Sequence, residues 1–218
     1  MKEVYFPRKN QSVCWQHQIR IDNRERDLQR ANLTEEKVQG LRTHDFSFSF
    51  VDRTEKNKCD EVKRFVEEHD WLASMPNRPT LRFTASKKSK QAASNLLAGA
   101  LVIATPSAIP DSIGTEYHDR TALIARGACI SWSPKNLGSW LIMNAVRWMV
   151  KNTDYRYFLG YADPEAGERG TIYRACNFVE PIPFLKLEGK RKKRFVYALG
   201  ENKKETKALR SIFRTESF

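Results

Sequence analysis

The sequence lacks the features of a zinc-binding, secreted or membrane-spanning protein. Its four cysteines form no Cys-x-x-Cys pair, and no histidine stands at zinc-ligand spacing from any of them. The longest apolar run, residues 96–105, is too short to cross a bilayer. The first residues contain no apolar segment of a signal peptide. These absences predict a cytoplasmic protein with free thiols, without a zinc ribbon or finger and without a membrane partner.

Acidic residues are outnumbered by basic ones. The chain has 38 Lys and Arg against 26 Asp and Glu, a formal net charge of +12. Such an excess favours a polyanionic partner, with nucleic acid ahead of an acidic membrane surface. From residue 186 to residue 218 there are 11 Lys and Arg against 4 Glu, a net charge of +7. More than half of the excess therefore lies in the last part of the chain, although a basic protein without such a partner remains an alternative.

Hydrophobic periodicity in the first half predicts short strands and one long helix. Phe and Ser alternate over residues 46–50, which is typical of a strand with one buried face. Residues 52–71 carry apolar side chains and His69 at helical spacing. The full prediction for this half is a strand or arm within residues 2–20, helical structure in 22–42, strands at 46–50, 80–86 and 96–105, a helix at 52–71, a basic hairpin tip at 87–95 and a long loop at 107–122.

The stretch from residue 127 to residue 178 organises the rest of the chain. It predicts a buried strand at 127–132, a turn at 133–139, a helix, a second strand at 155–161 and a second helix from Asp163 to about residue 176, with Gly170 as its weak point. In the first helix Leu137, Leu141, Ala145 and Trp148 share one face. Strand, helix and strand in this order predict a parallel pair joined by a crossover. Two further strands are predicted at 182–187 and 194–199.

The turn at 133–139 is a candidate anion site. Backbone N–H groups and the helix dipole converge at a helix start, so such a turn can hold a phosphate. The alternative is that Gly138 only eases a tight connection, because a single glycine is a weak signal beside a full phosphate-loop motif.

The order of elements resembles the GNAT fold of acyl-CoA-dependent N-acyltransferases. In that family the turn after the fourth strand holds the cofactor pyrophosphate, and here the corresponding letters are KNLGSW, from Lys135 to Trp140. The resemblance implies an α/β (α+β) fold with a mixed, mostly antiparallel sheet, flanked by helices and splayed at its central parallel strands. It also implies acetyl-CoA or a related acyl donor. The implied donor-binding residues are Ser131, Trp132, Ser133, Lys135, Asn136, Leu137, Gly138, Ser139 and Asn177.

A closer resemblance is to the Mom family of phage DNA-modification proteins. The residues that carry it are Tyr161-Ala162-Asp163 followed by Pro-Glu-Ala-Gly, then Gly170-Thr171-Ile172-Tyr173 and Asn177-Phe178. It covers about residues 75–178 and leaves out the N-terminal segment and the basic tail. It implies an enzyme that transfers an acyl-derived, methylcarbamoyl-like group to the exocyclic amine of adenine in double-stranded DNA. Such a modification protects DNA from restriction, and a phage protein would act in the host cytoplasm.

The candidate catalytic residues surround the two central strands. Asp163 lies just past a strand end, where ligands collect in open α/β sheets, so it could take a proton from the attacking amine or orient that amine. Its alternative role is to cap the next helix, which requires the same side chain. Tyr173 could protonate a leaving thiolate, or it could simply pack in the core.

Three further candidates have weaker signals. Tyr161 could stack on an extruded base or fill the sheet face. Arg126 could hold a phosphate or acyl oxygen, or form a surface ion pair. Ser133, like Ser131, offers a hydroxyl at the splayed strand end, with a purely structural role as the alternative. The family resemblance leaves an iron requirement open, with His118 as the best candidate ligand, although no metal-ligand spacing is visible in the sequence.

The predicted DNA-binding residues lie in the hairpin tip and the basic tail. They are Lys87, Lys88, Lys90, Lys190, Arg191, Lys192, Lys193 and Arg194, and they would contact phosphates rather than bases. We divide the chain into an N-terminal extension (1–44), a GNAT-like transferase domain (45–199) and a basic C-terminal tail (200–218). A homodimer is compatible with this interpretation. The alternatives are an acyltransferase acting on a protein or small-molecule amine, and a non-catalytic DNA-binding protein.

Overall fold

One six-stranded sheet forms the centre of the computed structural model, which describes residues 14–88, 96–107, 115–180 and 192–211. The strands follow one another in space in the order of the sequence. They are β1 (Phe46–Val51), β2 (Thr80–Lys87), β3 (Leu96–Ala104), β4 (Thr121–Cys129), β5 (Tyr157–Ala162) and β6 (Lys193–Ala198). The helices are α1 (Trp15–Asp22), α2 (Arg24–Ala31), α3 (Glu35–Gln39), α4 (Lys56–His69), α5 (Leu137–Asn152), α6 (Thr171–Ala175) and α7 (Lys203–Ser211).

The sheet is mostly antiparallel and splays at its only parallel pair among the described strands. β4 and β5 are paired over Thr121–Leu123 and Tyr157–Leu159 alone. Beyond these residues β4 continues to Cys129 and β5 to Ala162 without pairing to each other. All other neighbouring strands pair antiparallel. The mixed sheet with splayed central strands predicted from the sequence is therefore confirmed.

Helices α4 and α5 cover the sheet and complete the core. Consecutive residues of β3 from Ala98 to Ala104 are buried, which requires apolar cover on both faces. The predicted face of α4 is buried at Val62, Phe65, Val66 and His69. In α5, Trp148 stacks on Phe50 with ring centroids 4.2 Å apart. Among the described residues no helix combines the length and apolarity needed to span a membrane.

The N-terminal helices are part of the packed structure. Residues 15–20 belong to α1 because they pack on the rest of the structure, so no strand forms in that part of the predicted 2–20 segment; residues 2–13 of the segment lie outside the described residues. Trp15 meets Trp71 edge-to-face with ring centroids 5.2 Å apart, and Ile19 is buried. Leu28 and Val38 contribute to the main core. At the other end of the chain, α7 packs on β6 through Leu209. The three-part division of the chain remains a prediction.

Three local predictions in the central region are wrong. The strand before α5 begins at Thr121 and ends at Cys129, because residues 130–133 turn towards the helix. The long loop predicted at 107–122 contains a 3-10 helix at Thr115–Arg120. The helix predicted from Asp163 is interrupted: a 3-10 helix at Pro164–Ala166 is followed by Gly167 and Gly170, both with φ of 73°, before α6 begins. Left-handed glycines end a helix, since αR geometry cannot continue through them. The strand predicted at 182–187 lies outside the described residues.

Candidate functional site

A large cavity occupies the gap between the splayed strands. Its volume is about 1240 Å³. The C-terminal half of β4 forms one wall, and the end of β5 with the following Gly-rich segment forms the opposite wall. The start of α5 closes one end, and residues 70–72, after α4, lie at the other. A cavity where the carboxyl ends of two parallel strands diverge is the usual ligand site of such sheets.

The start of α5 presents free backbone donors to this cavity. Asn136 has a left-handed conformation with φ of 70°, and α5 begins at the next residue without a side-chain cap. Within the described part of the chain, the N–H groups of Gly138 and Ser139 have no acceptor. Lys135 and Asn136 are exposed beside them. Uncapped N–H groups, the positive end of the helix dipole and a lysine together suit a phosphate group.

Gly138 is also a packing position. A Cβ built on it would lie 2.9 Å from Cδ1 of Ile172 in α6 and 3.6 Å from Sγ of Cys129. The glycine therefore lets the first turn of α5 approach α6 closely, which keeps the free N–H groups at the cavity wall.

The residues predicted to bind the acyl donor divide into two groups. Lys135, Asn136, Leu137, Gly138 and Ser139 line the cavity. The remaining four lie outside its lining: Ser131, Trp132, Ser133 and Asn177. Trp132 is 1% exposed and stacks on Phe46 in the core. Asn177 is exposed and follows α6 in a left-handed conformation with φ of 60°.

Two arginines of the N-terminal helices hold the segment before α5. Arg20 Nη2 donates to the Ser131 and Ser133 carbonyl oxygens at 3.2 Å and to the Ser133 hydroxyl at 3.1 Å. Arg24 Nη1 donates to the Ser131 carbonyl oxygen at 2.7 Å. The Ser131 N–H in turn donates to the buried carboxylate of Asp27 at 3.3 Å. No local pattern of residues predicts these contacts, because they join residues more than 100 positions apart.

Asp163 has the geometry of a helix cap and of an ion pair. Its Oδ1 accepts from the N–H of Glu165 at 3.0 Å, so it caps the 3-10 helix at Pro164–Ala166. Its Oδ2 lies 3.4 Å from Nζ of Lys192. The side chain is 13% exposed and lines the cavity. The capping role named as an alternative is therefore present, and the catalytic role stays a prediction.

Tyr173 points its phenol into the same end of the cavity. Its ring stacks on Phe195 at 5.2 Å between centroids, and its hydroxyl oxygen accepts from the N–H of Tyr161. Burial, followed by the charges of Glu168 and Asp70, raises the pKa of Tyr173 far above its ordinary value. The phenol is therefore protonated throughout the physiological range and can only donate a proton. Gly160 makes room for it, since any Cβ there would overlap the Tyr173 ring.

Tyr161 and Arg126 are both engaged with neighbours. The Arg194 guanidinium lies 5.8 Å from the ring centroid of Tyr161, which is within cation–π range. Arg126 lines the cavity, yet its guanidinium donates to the Ser74 carbonyl oxygen at 2.6 Å, to the Ser74 hydroxyl at 3.3 Å and to the carbonyl oxygen of Ala125 at 2.6 Å. These contacts fix the strand edge, and the predicted contact with an acyl or phosphate oxygen remains untested.

Two carboxylates at the acidic end of the cavity were missed in the sequence. Glu168 Oε1 accepts from Nε1 of Trp71 at 3.0 Å, and its Oε2 accepts from the N–H of Asp163 at 2.7 Å. Asp70 accepts from the N–H groups of Leu72 at 2.9 Å and Gly127 at 3.2 Å. Burial raises the pKa of both, and for Glu168 the charges of Asp70 and Asp163 raise it further. The only sequence signal was the position of Glu168 between two glycines after the second central strand.

Of the predicted DNA-binding residues, those at strand ends that the structure describes lie at one end of the sheet. Lys87 ends β2 and Lys193 begins β6, and the strand pairing puts both at the end where β4 and β5 finish. Lys192 and Lys193 border the cavity, and Lys88 Nζ donates to the His44 carbonyl oxygen at 2.9 Å. The other predicted residues of this set, Lys90, Lys190 and Arg191, lie outside the described residues.

The described residues offer iron no ligand set. Within those ranges, no group of three or more His, Cys, Asp or Glu side chains is placed to hold a metal ion. His118 belongs to the 3-10 helix that precedes β4, at the opposite end of that strand from the donor turn, and it does not line the cavity.

The splayed strands, the donor turn and the Asp163–Tyr173 pair all fall in one segment of the chain, and this segment matches a known family. Residues 124–214 match the model of the Mom protein family. The resemblance found in the sequence is confirmed by this match. The Mom match runs past the end of α7, so it includes β6 and α7, which the sequence comparison had left outside.

Solved structures with a similar backbone are acetyltransferases of low sequence identity. NAA60 of Arabidopsis thaliana in complex with acetyl-CoA is 11% identical with a TM-score of 0.46, and the match covers 71% of this chain and 98% of that one. The yncA protein of Salmonella typhimurium with acetyl-CoA is 9% identical, with a TM-score of 0.47 and coverage of 73% and 96%. Spermidine N-acetyltransferase from Vibrio cholerae is 14% identical, with a TM-score of 0.44 and coverage of 71% and 94%. None of the curated proteins compared with the chain matches it.

Proposed function

We propose that this protein is a DNA-modifying transferase, which moves an acyl-derived group from an acyl-CoA-type donor to the exocyclic amine of adenine in duplex DNA. The observation that carries the proposal is the combination of two features in one cavity. An uncapped helix start suited to phosphate lies at one end, and a cluster of carboxylates with a protonated phenol lies at the other. The helix start, Asp163, Glu168 and Tyr173 belong to the segment that matches the Mom family, whereas Asp70 lies outside it.

The donor end would bind the phosphates of the acyl donor. The free N–H groups of Gly138 and Ser139 and the exposed Lys135 supply three donors that converge there. When bound, the donor supplies an activated acyl carbon on a thioester. The cavity is lined by Lys135 at the start of α5 and by the diverging ends of β4 and β5, so a donor bound at the turn would place its thioester between these strands.

The acidic end would orient the amine and protonate the leaving group. Adenine's amine is a weak nucleophile when neutral, so positioning and charge stabilisation must supply much of the rate. Asp163 would orient this amine and stabilise the positive charge that develops as it attacks. Tyr173 would give its proton to the thiolate that leaves; burial raises the pKa of the phenol, which keeps it protonated until the thiolate forms but also makes it a weaker acid.

The DNA duplex would bind across the end of the sheet where the cavity opens. Lys87, Lys192 and Lys193 lie at that end, and the net charge of +12 supports phosphate contacts. Because the amine of a paired adenine is engaged in base pairing, the base has to leave the stack to enter the cavity. Tyr161, which lines the cavity, would stack on it.

A second candidate function is acylation of an amine on a protein or small molecule. The feature that favours it is the group of three carboxylates at one end of the cavity, Asp70, Asp163 and Glu168, which would attract an ammonium group. It leaves the basic C-terminal region without a role.

Analysis of DNA from expressing cells separates the proposals. We expect plasmid DNA to resist some restriction enzymes and to yield a heavier adenine nucleoside by mass spectrometry, with neither change in cells carrying the empty vector. Tyr173→Phe, which removes the transferable proton, should reduce the heavier nucleoside strongly. Unmodified nucleosides despite folded, soluble protein would contradict the adenine proposal, and duplex binding without modification would favour a non-catalytic DNA-binding protein.

A further inference from the structure

Glu168 is held at the acidic end of the cavity by two hydrogen bonds from opposite sides. Trp71 donates to Oε1 at 3.0 Å, and the backbone of Asp163 donates to Oε2 at 2.7 Å. Each carboxylate oxygen has a second lone pair that these bonds leave free. The carboxylate is therefore fixed in orientation and can still accept a proton.

Asp163 is less suited to accept a proton from the attacking amine. Its Oδ1 caps a 3-10 helix, and its Oδ2 faces the Lys192 ammonium at 3.4 Å. Both oxygens of Asp163 are therefore already engaged, one by a backbone N–H and the other by an ammonium group. For Glu168 no salt bridge to Lys or Arg is formed within the part of the chain that the structure describes.

We propose that Glu168 is the general base of the transfer and that Trp71 positions it; the proposal rests on the function proposed above. The attacking amine nitrogen forms a bond to the acyl carbon and gives its proton to Glu168. The acyl carbon–sulfur bond breaks, and the electron pair goes to sulfur, which takes a proton from Tyr173. The products are the N-acylated amine and the free thiol of the donor. Transfer of the proton from Glu168 back to Tyr173, directly or through solvent, completes the cycle.

The groups that face Glu168 raise its pKa, which suits a general base. The Asp70 carboxylate after α4 and the Asp163 carboxylate after β5 repel its negative charge, and burial opposes ionisation. These causes raise the pKa of Glu168 above its ordinary value of 4.5, towards the pH at which a base works best. The protonated phenol of Tyr173 faces the same space, and Lys192 is held against Asp163 on the far side of the cluster.

A steady-state assay of thiol release from acetyl-CoA tests the assignment, with an adenine-containing duplex and a lysine peptide as separate acceptors. Glu168→Gln should lower kcat by roughly 10²- to 10⁴-fold and leave KM for the duplex within about threefold. It should also remove the acidic limb of the pH–rate profile. Asp163→Asn should reduce the rate and keep that limb. Glu165→Gln is the matched control, because Glu165 is exposed and lies outside the cavity lining.

A conservative variant and an NMR titration test the proposal even if Glu168→Gln fails to fold. Glu168→Asp keeps the carboxylate but shortens it, so the acidic limb should persist at a lower rate. In the parent, the Nε1–H NMR resonance of Trp71, assigned with Trp71→Phe, should titrate with a midpoint above 4.5. A folded Glu168→Gln with near-parental kcat, or a Trp71 resonance that does not titrate, would overturn the proposal.

The two acceptors separate this proposal from the proposed function. If thiol release occurs with the peptide and not with the duplex, the proposal that adenine is the acceptor is contradicted. The role of Glu168 is then tested by measuring the same variants with the peptide. If the parent releases no thiol with either acceptor, both proposals are contradicted.

Discussion

At the scale of single residues, the acidic end of the cavity combines buried charge with hydrogen bonding. Asp70 is buried and Glu168 is half-buried, and the pKa values of both carboxylates are raised, with desolvation as the first cause. Each accepts two N–H donors, which offset part of the cost of burying the charge. Such a site costs stability when ionised, and clusters of this kind are typical of functional positions rather than of packing.

This cost predicts a pH dependence of stability. Because the pKa of Glu168 is raised in the folded state, the native protein binds this proton more tightly than the unfolded chain does. Its contribution therefore destabilises the fold progressively as the pH rises from about 4.5. We expect the Tm of the parent, relative to that of Glu168→Gln, to fall as the pH rises from that value towards neutrality. Calorimetric scans at constant ionic strength would measure this, and a Tm difference that does not change with pH would contradict it.

At the scale of elements, the start of α5 is the part that sequence reasoning described best. Leu137, Leu141 and Ala145 form its buried face as predicted. The residue before it takes a left-handed conformation, and the N–H groups of Gly138 and Ser139 are free. The Arg20 and Arg24 contacts anchor the preceding segment from a distant part of the chain. A free helix start anchored in this way is preorganised for an anion.

Substitution of Gly138 tests the donor turn. Gly138→Asp adds a negative charge where a phosphate would approach, so acetyl-CoA affinity should fall by at least tenfold in calorimetry. Gly138→Ala is the matched control for packing, because its Cβ also meets Cδ1 of Ile172, the end of a side chain that is 40% exposed and free to shift. We expect only a small loss of affinity with Ala. If the Asp variant is folded and binds acetyl-CoA like the parent, the turn is purely structural.

At the scale of the whole molecule, the basic residues near the C-terminus fall into two sets. Lys192 and Lys193 border the cavity. Lys203, Lys204 and Lys207 are exposed on α7, which follows the opposite end of β6. In that region Glu201 and Glu205 pair with Arg156, and Glu205 also pairs with Arg120. Only the first set lies where the cavity opens.

The two sets give a matched comparison of DNA binding. Changing Lys190, Arg191 and Lys193 to Gln removes three charges from sequence positions 190–193, the stretch that includes the first set, and spares Lys192 and Arg194, which contact Asp163 and Tyr161. The slope of log affinity against log salt should become less steep by roughly three units, equally for all duplex sequences. The same change at Lys203, Lys204 and Lys207 should leave the slope nearly unaltered. Equal effects of both triple variants in anisotropy titrations would contradict the proposed orientation of the DNA.

The sequence by itself determined the order of the elements and the composition of the donor turn. Local periodicity was enough to predict β1, α4 and α5, because the spacing of apolar residues shows which face of an element is buried. The motif from Tyr161 to Phe178 was also sufficient to find the resemblance to the Mom family, whose model matches residues 124–214. In contrast, the interruption of the helix after Asp163 depends on two glycines whose φ of 73° could not be read from their identity alone.

Only the tertiary structure decided which charged groups share the cavity. Asp70 lies at the end of α4 and Glu168 after β5, and their approach depends on how a helix and a strand separated by many residues pack together. The placement of Lys192 against Asp163 and of Arg20 against Ser133 has the same origin. Pairings over such separations leave no local periodicity in the sequence. In the sequence, a carboxylate that will be exposed cannot be told from one that will be buried. Only burial in the folded structure shifts the pKa of the second.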